Sequence, residues 1–244
     1  MKIIQRPSPN FNQRKNDAPI DTLIIHYTDM TSAQAALDLL QDPQKEVSAH
    51  YLIDETGQIF QLVDEKHRAW HAGVSSWNAQ TDINSRSIGI ELANPGHGNG
   101  YKAFPKAQMD ALIQLCQKIV KNHVIPAYNI IAHSDIAPDR KKDPGELFNW
   151  QEFAENGFGL WHDITDTPND HPDTDALTID PETLTTLFNQ LGYDTSHDLK
   201  TIITAFQRHF EPEKFKQAQT LGQADALTLR RLQALNSQKK KLLP

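Results

Sequence analysis

Three apolar runs in this chain each end in a polar side chain able to do chemistry. Leu23-Ile24-Ile25 leads to His26, Ile88-Gly89-Ile90 to Glu91, and Ile130-Ile131-Ala132 to His133. Such runs read as buried strands, and strand ends are where α/β sheets gather their sites. One strand-end histidine would carry little weight; several together carry more. The segment that follows, His133 to Gly145 (HSDIAPDRKKDPG), has few large apolar residues and two prolines. It reads either as a charged surface loop or as a loop that returns Asp143 to His133 and sets Lys141 beside it. In the second case two imidazoles and a carboxylate, with a fourth position left to water, are the donor set of a catalytic zinc. Such an ion lowers the pKa of bound water to about 7. A nearby carboxylate can then take a proton, and a lysine can stabilise an oxyanion.

Composition narrows what can surround such a site. The chain has 244 residues, 38 % of them hydrophobic, so one large domain, or one sizeable domain and a small one, can form. The single cysteine, Cys116, lies in an apolar helical stretch and reads as a core thiol. Any metal must therefore be held by His, Asp or Glu. A formal charge of -7 and the lack of a basic face argue against a nucleic-acid partner. The one basic run, Lys239-Lys240-Lys241, is expected to be a solvated tail. No apolar stretch reaches membrane-span length, and Met1 to Asn10 has no apolar core of the kind secretory signals carry. The HExxH pattern of many zinc peptidases is absent.

The elements that must position these residues are legible in outline. Residues 21–27 read as a buried strand, and Thr31–Gln41 as a helix stopped at Asp42-Pro43. Val47–Ile53 and Gln58–Val63 flank a loop ending in Gly57, which predicts a hairpin. Ser87–Ala93 and Tyr128–Ala132 are further strands, and Pro105–His123 is the longest amphipathic helix. The expected class is α/β, with a mixed central sheet flanked by helices. Residues 163–180, rich in Asp, Thr and Pro, then read as a linker or a surface-wrapped loop. Helical stretches at Pro181–Leu191, Ser196–Phe210 and Ala224–Gln238 predict a small C-terminal three-helix domain. The expected division is 1–163, a linker at 164–179, and 180–238.

The motifs also carry a resemblance. IIHYT around His26, SAHYLID around His50, AWHAGVSSW at 69–77, NSRSIGIELANPG at 84–96 and AHSDIAPDRKKDPGELFNW at 132–150 occur in this order. Together they resemble the type-2 family of bacterial N-acetylmuramoyl-L-alanine amidases, in the superfamily of T7 lysozyme-like and peptidoglycan recognition proteins. The resemblance spans most of residues 18–162. It implies that His26, His133 and Asp143 bind one Zn2+, that Glu91 is the general base and that Lys141 stabilises the oxyanion. It also implies that peptidoglycan or its muropeptide fragments are the partner, cut between N-acetylmuramic acid and L-alanine. His50, Trp70 and His71 lie in matched motifs; His50 also reads as a packed residue, and all three are candidates for contact with substrate. LFNQLGYD at 187–194 and AFQRHF at 205–210 resemble helical peptidoglycan-binding modules, with a bundle that merely buttresses the catalytic part as the alternative. A monomer acting in the periplasm or cell envelope is expected, with the cytoplasm as the alternative. A binding-only recognition protein is the competing function, although such members typically lack part of the metal set.

Overall fold

The computed structural model describes residues 1–16, 18–164, 179–216 and 220–243. His171 and all but the two end residues of the expected 164–179 linker lie outside them. The frame is a six-stranded mixed sheet. Its strands are β1 (Ile3–Gln5), β3 (Thr22–Tyr27), β4 (Tyr51–Ile53), β5 (Ile59–Gln61), β7 (Ser87–Leu92) and β8 (Ile130–Ala132), in the order β1-β5-β4-β7-β3-β8. All neighbours are parallel except the hairpin pair β4 and β5. Asp54 closes that hairpin: its side chain accepts from the backbone of Thr56 and Gln58. A second ribbon pairs β2 (Phe11–Gln13) with β6 (His67–Ala69). Neither β1, β2 nor β6 is expected from the sequence. Each is three residues long, too short to show a period of two.

Alternation along the central strands sorts the two faces. Leu23 and Ile25 of β3 and Ile88, Ile90 and Leu92 of β7 pack against α3 (Lys106–His123), through its residues Met109, Leu112, Leu115, Cys116 and Ile119. The opposite face is divided. Leu52 and Phe60 at one end meet α1 (Ala33–Gln41), which is capped by Ser32. Ile24 and Ile131 at the other end meet the C-terminal helices. Between those two apolar patches β7 presents Ser87, Gly89 and Glu91, the odd residues of its pleat. The site lies in this polar strip.

The C-terminal helices are α6 (Pro181–Leu191), α7 (Leu199–Phe210) and α8 (Ala226–Leu242). Asp180, Asp198 and Asp225 cap their N-termini, each accepting from backbone N–H groups. They share one apolar cluster with the sheet: Phe188, Ile202, Phe206 and Leu232 pack with Ile24, Trp77, Ile131 and Ile136. Gly192, just after α6, has a φ of 130°, and a Cβ there would lie 2.7 Å from the Trp77 ring. Only glycine allows that approach.

In the basic run at 239–241, Lys240 and Lys241 are exposed as expected of a solvated tail, but Lys239 is not. Lys239 is 7 % exposed and donates to the carbonyls of Gln190 and Leu191, the last of α6, and to Asn78. A lysine on orphan helix-end carbonyls satisfies them and suits the helix dipole. Burial pulls its pKa down to about 8. No described helix is long and apolar enough to cross a membrane.

Candidate metal centre

Register brings the first two residues together. β3 and β7 run parallel with His26 opposite Glu91, so both side chains project from the same strip. β8 pairs with β3 so that Ala132 lies opposite Ile25. The chain then turns directly into a short helix, α4 (His133–Ile136), and His133 arrives beside His26. The loop after α4 folds back, and the Asp143 carbonyl accepts from the backbone N–H of Ser134 at 3.0 Å. This return is the second of the two readings of residues 133–145, with a helical turn at its start.

Three donor atoms converge as a result. His26 Nδ1, His133 Nδ1 and Asp143 Oδ2 lie 2.9, 2.9 and 3.0 Å apart pairwise, in side chains that are all buried. The far nitrogen of His133 donates to the Ala72 carbonyl at 3.1 Å, which leaves its Nδ1 a bare lone pair. At most one proton, on His26, is then available to three acceptors. Burial, followed by the neighbouring His133, pulls the His26 pKa down to about 4, so the ring is neutral near pH 7. Two imidazoles and a carboxylate, crowded this closely with at most one proton between them, fit a bound cation.

Glu91 and Lys141 complete the arrangement. Burial, reinforced by the Asp143 charge, pushes the Glu91 pKa well up, and Lys141 offsets part of this. Glu91 Oε2 is buried with no hydrogen-bond partner. A buried, unpaired acceptor at a cleft calls for a ligand or a proton. Lys141 is half-buried, and among the described residues no side chain engages its ammonium. Its electrostatic influence reaches both Glu91 and His26. All five residues line one cleft of about 440 Å³, whose far wall is apolar through Met30, Leu39, Leu40 and Val47. The arrangement can bind a cation, accept a proton and meet a developing negative charge.

Of the three candidates for substrate contact, two lie outside this cleft. His50 has no exposed surface; its Nδ1 accepts from the Gly89 N–H and its Nε2 faces the His67 carbonyl. It ties β4 to β7 and does not reach the cleft. Trp70 donates from its indole N–H to Asn12 on β2 and is not among the cleft residues. His71 does touch the cleft but is only 7 % exposed, with both ring nitrogens engaged behind His26. Some supporting residues were not singled out from the sequence. Arg140 donates to the Ala72 and Val74 carbonyls, and the Asn84 side chain accepts from the N–H groups of His71 and Ala72. Asp135 accepts from the Ala132 N–H, from Tyr193 and from His209. Their only signal was membership of the matched motifs.

Comparison with known proteins agrees with this geometry. Residues 16–146 match the family described as N-acetylmuramoyl-L-alanine amidase. The chain is 38 % identical over 232 residues to the N-acetylmuramoyl-L-alanine amidase AmiD of Escherichia coli, covering 86 % of this chain and 79 % of that protein. The 1,6-anhydro-N-acetylmuramyl-L-alanine amidase AmpD of Haemophilus influenzae is 36 % identical over 167 residues, covering 61 % of this chain and 89 % of that one. A solved complex of AmiD from E. coli with anhydro-N-acetylmuramic acid-L-Ala-D-gamma-Glu-L-Lys superposes with a TM-score of 0.79 at 36 % identity, covering 93 % of each chain. The similarity to AmiD thus extends through the C-terminal helices.

Proposed function

The chain belongs to the N-acetylmuramoyl-L-alanine amidase family, and from that premise we propose that it hydrolyses the amide between N-acetylmuramic acid and L-alanine in peptidoglycan or its anhydromuropeptide fragments, using one zinc ion held by His26, His133 and Asp143. The observation that carries the reading is the convergence of those three proton-poor donors beside an unpartnered buried carboxylate, Glu91. Zinc in such a site acidifies water and polarises a carbonyl oxygen.

The chain's own residues then divide the work. Glu91, buried at the cleft with Oε2 unpartnered, takes the proton of the attacking water. Lys141 faces the same cleft and stabilises the negative charge that grows on the lactyl carbonyl oxygen. The C–O bond forms, the C–N bond breaks, and Glu91 returns its proton to the departing L-alanine amine. The products are a muramic carboxylate and a free stem peptide. A binding-only role is disfavoured because both the donor set and the two groups needed for turnover are present together. One chain supplies the whole site, so a monomer suffices. Action on intact polymer goes with the cell envelope, and cell fractionation tests that location.

The deciding experiment measures zinc content and release of stem peptide from a defined anhydromuropeptide. Wild type should bind one zinc per chain and release peptide, and His133→Ala should lose both. Glu91→Gln should keep zinc and lower kcat by about 10²–10⁴. Lys141→Ala should keep zinc and lower kcat by about 10²–10³. Full activity of metal-free His133→Ala, or wild-type kcat in Lys141→Ala, would remove the corresponding role.

A further inference from the structure

A neutral imidazole offers a metal one nitrogen only if its proton sits on the other. For His133 the Ala72 carbonyl settles this, since a carbonyl can only accept. For His26 the far-side partner is another imidazole: His26 Nε2 lies 3.0 Å from His71 Nδ1. Either ring could in principle donate, so the proton must be traced further. His71 Nε2 lies 3.1 Å from the Ser87 hydroxyl, and that hydroxyl donates to the Ile83 carbonyl at 2.7 Å. Ser87 has one proton, and the carbonyl claims it. The serine oxygen can then only accept, so His71 donates to it from Nε2. His71 Nδ1 is left as a lone pair, His26 donates to it from Nε2, and His26 Nδ1 is bare.

We propose that His71 and Ser87 are positioning residues that fix the tautomer of His26, so that its Nδ1 faces the metal position without a proton. The inference rests on the metal reading above and adds the device that prepares the ligand for it. Both rings are buried and engaged on both nitrogens, so the relay passes orientation along a fixed line of hydrogen bonds.

The surrounding backbone is built for this chain of donors. Ser87 is the first residue of β7, four after Ile83 in α2 (Ile83–Arg86), so its hydroxyl reaches back to that carbonyl. Gly89, next on the same face, makes room for the His71 ring, because a Cβ there would lie 2.5 Å from its Cγ. Glu91 follows two residues on, in the cleft. One strand face thus carries the tautomer anchor, the clearance and the proposed base at a spacing of two. Asn84, also in α2, accepts from the backbone N–H groups of both His71 and Ala72, at 3.0 and 2.8 Å. Those neighbouring residues supply the far-side partners of the two histidine ligands.

Two measurements test the proposal. In metal-free wild type, ¹⁵N–¹H correlation of the imidazoles should find the proton of His26 on Nε2 and that of His71 on Nε2. In chelator competition, His71→Phe, which keeps a ring but cannot accept, should bind zinc about 10–100-fold more weakly. His71→Gln can still accept from His26 through its amide oxygen and should stay within several-fold of wild type. Ser87→Ala should give a mixture of His26 tautomers, and it supplies the test if His71→Phe does not fold. A proton on His26 Nδ1 in the wild type, or unchanged zinc affinity in His71→Phe, would overturn the relay. Failure of the wild type to bind zinc would instead strike the metal reading, while the tautomer measurement on metal-free protein still decides this one.

Discussion

Two buried clusters, each a carboxylate held among ring side chains, meet at α4, which contributes His133 to one and Asp135 to the other. On the cleft side, Asp143 meets His26 and His133. On the other side, Asp135 meets His209 of α7 and Tyr193, which follows α6. All six residues are nearly or fully buried. The difference lies in the protons. Asp135 accepts from the Tyr193 hydroxyl at 2.7 Å, from His209 Nδ1 at 2.7 Å and from the Ala132 N–H at 2.9 Å. The carboxylate charge is met by three donors, although His209 Nε2 on the far side of its ring is buried without a partner. At Asp143 the imidazole protons point away from the carboxylate, toward Ala72 and His71. A buried His–His–Asp group is therefore a metal site only when its surroundings have taken the protons elsewhere. Burial does not distinguish the two clusters; donor count does, with the Tyr193 hydroxyl supplying a proton where the other cluster has a second imidazole.

The largest effect that could break this comparison comes from removing the helices that complete the Asp135 cluster. A chain ending at residue 163 loses Tyr193 and His209 and uncovers Ile24, Trp77, Ile131 and Ile136. At about 1.5–3 kcal/mol for each large apolar side chain, the loss is on the order of 6–12 kcal/mol, comparable with the whole stability of a domain. The truncated chain should fail to melt cooperatively in circular dichroism. If it melted near the full-length Tm and still cleaved muropeptides, the helices would be a separable module and the shared cluster incidental.

Next in size is one substitution made at both clusters, read as Tm in excess chelator. Asp135→Asn puts an amide where three donors converge and should destabilise by about 1–3 kcal/mol, the usual cost of unmaking buried hydrogen bonds. Asp143→Asn supplies donors where the metal-free site lacks them and removes a buried charge. It should raise the metal-free Tm while abolishing tight zinc binding. Shifts of the same sign at both positions would refute the donor-count account.

A further expected effect is a pH dependence of the metal-free protein. Burial lowers the pKa of His26 to about 4 and that of His50 to about 3. Between the ordinary histidine value of about 6.5 and these values, the unfolded chain binds more protons than the folded one. Stability should therefore fall as pH drops from about 6.5 toward 4, and keep falling toward 3 through His50. Denaturant titrations in chelator across this range check the sign. A flat profile would mean that these imidazoles take up protons without leaving their packed positions.

Much of this molecule could be read from its residues in order. The central strands, α1 and α3 announce themselves through apolar runs, a serine cap and a helical period, because those signals are local. His26, Glu91 and His133 could be read as strand-end residues and Asp143 as a residue of the loop that returns to them, all in matched motifs. Three things were decided only by the folded chain. β1, β2 and β6 take their pairing from neighbours, since three residues cannot encode a face. Lys239 is an internal cap because α8 lays it across the end of α6, about fifty residues earlier in the chain. His50, Trp70 and His71 stand in motifs that resemble a substrate groove, yet burial makes His50 a strut, an indole bond ties Trp70 to Asn12, and His71 sits behind His26. Residue type states what a side chain can donate or accept. Which proton it holds depends on partners distant in sequence, and those the tertiary structure alone supplies.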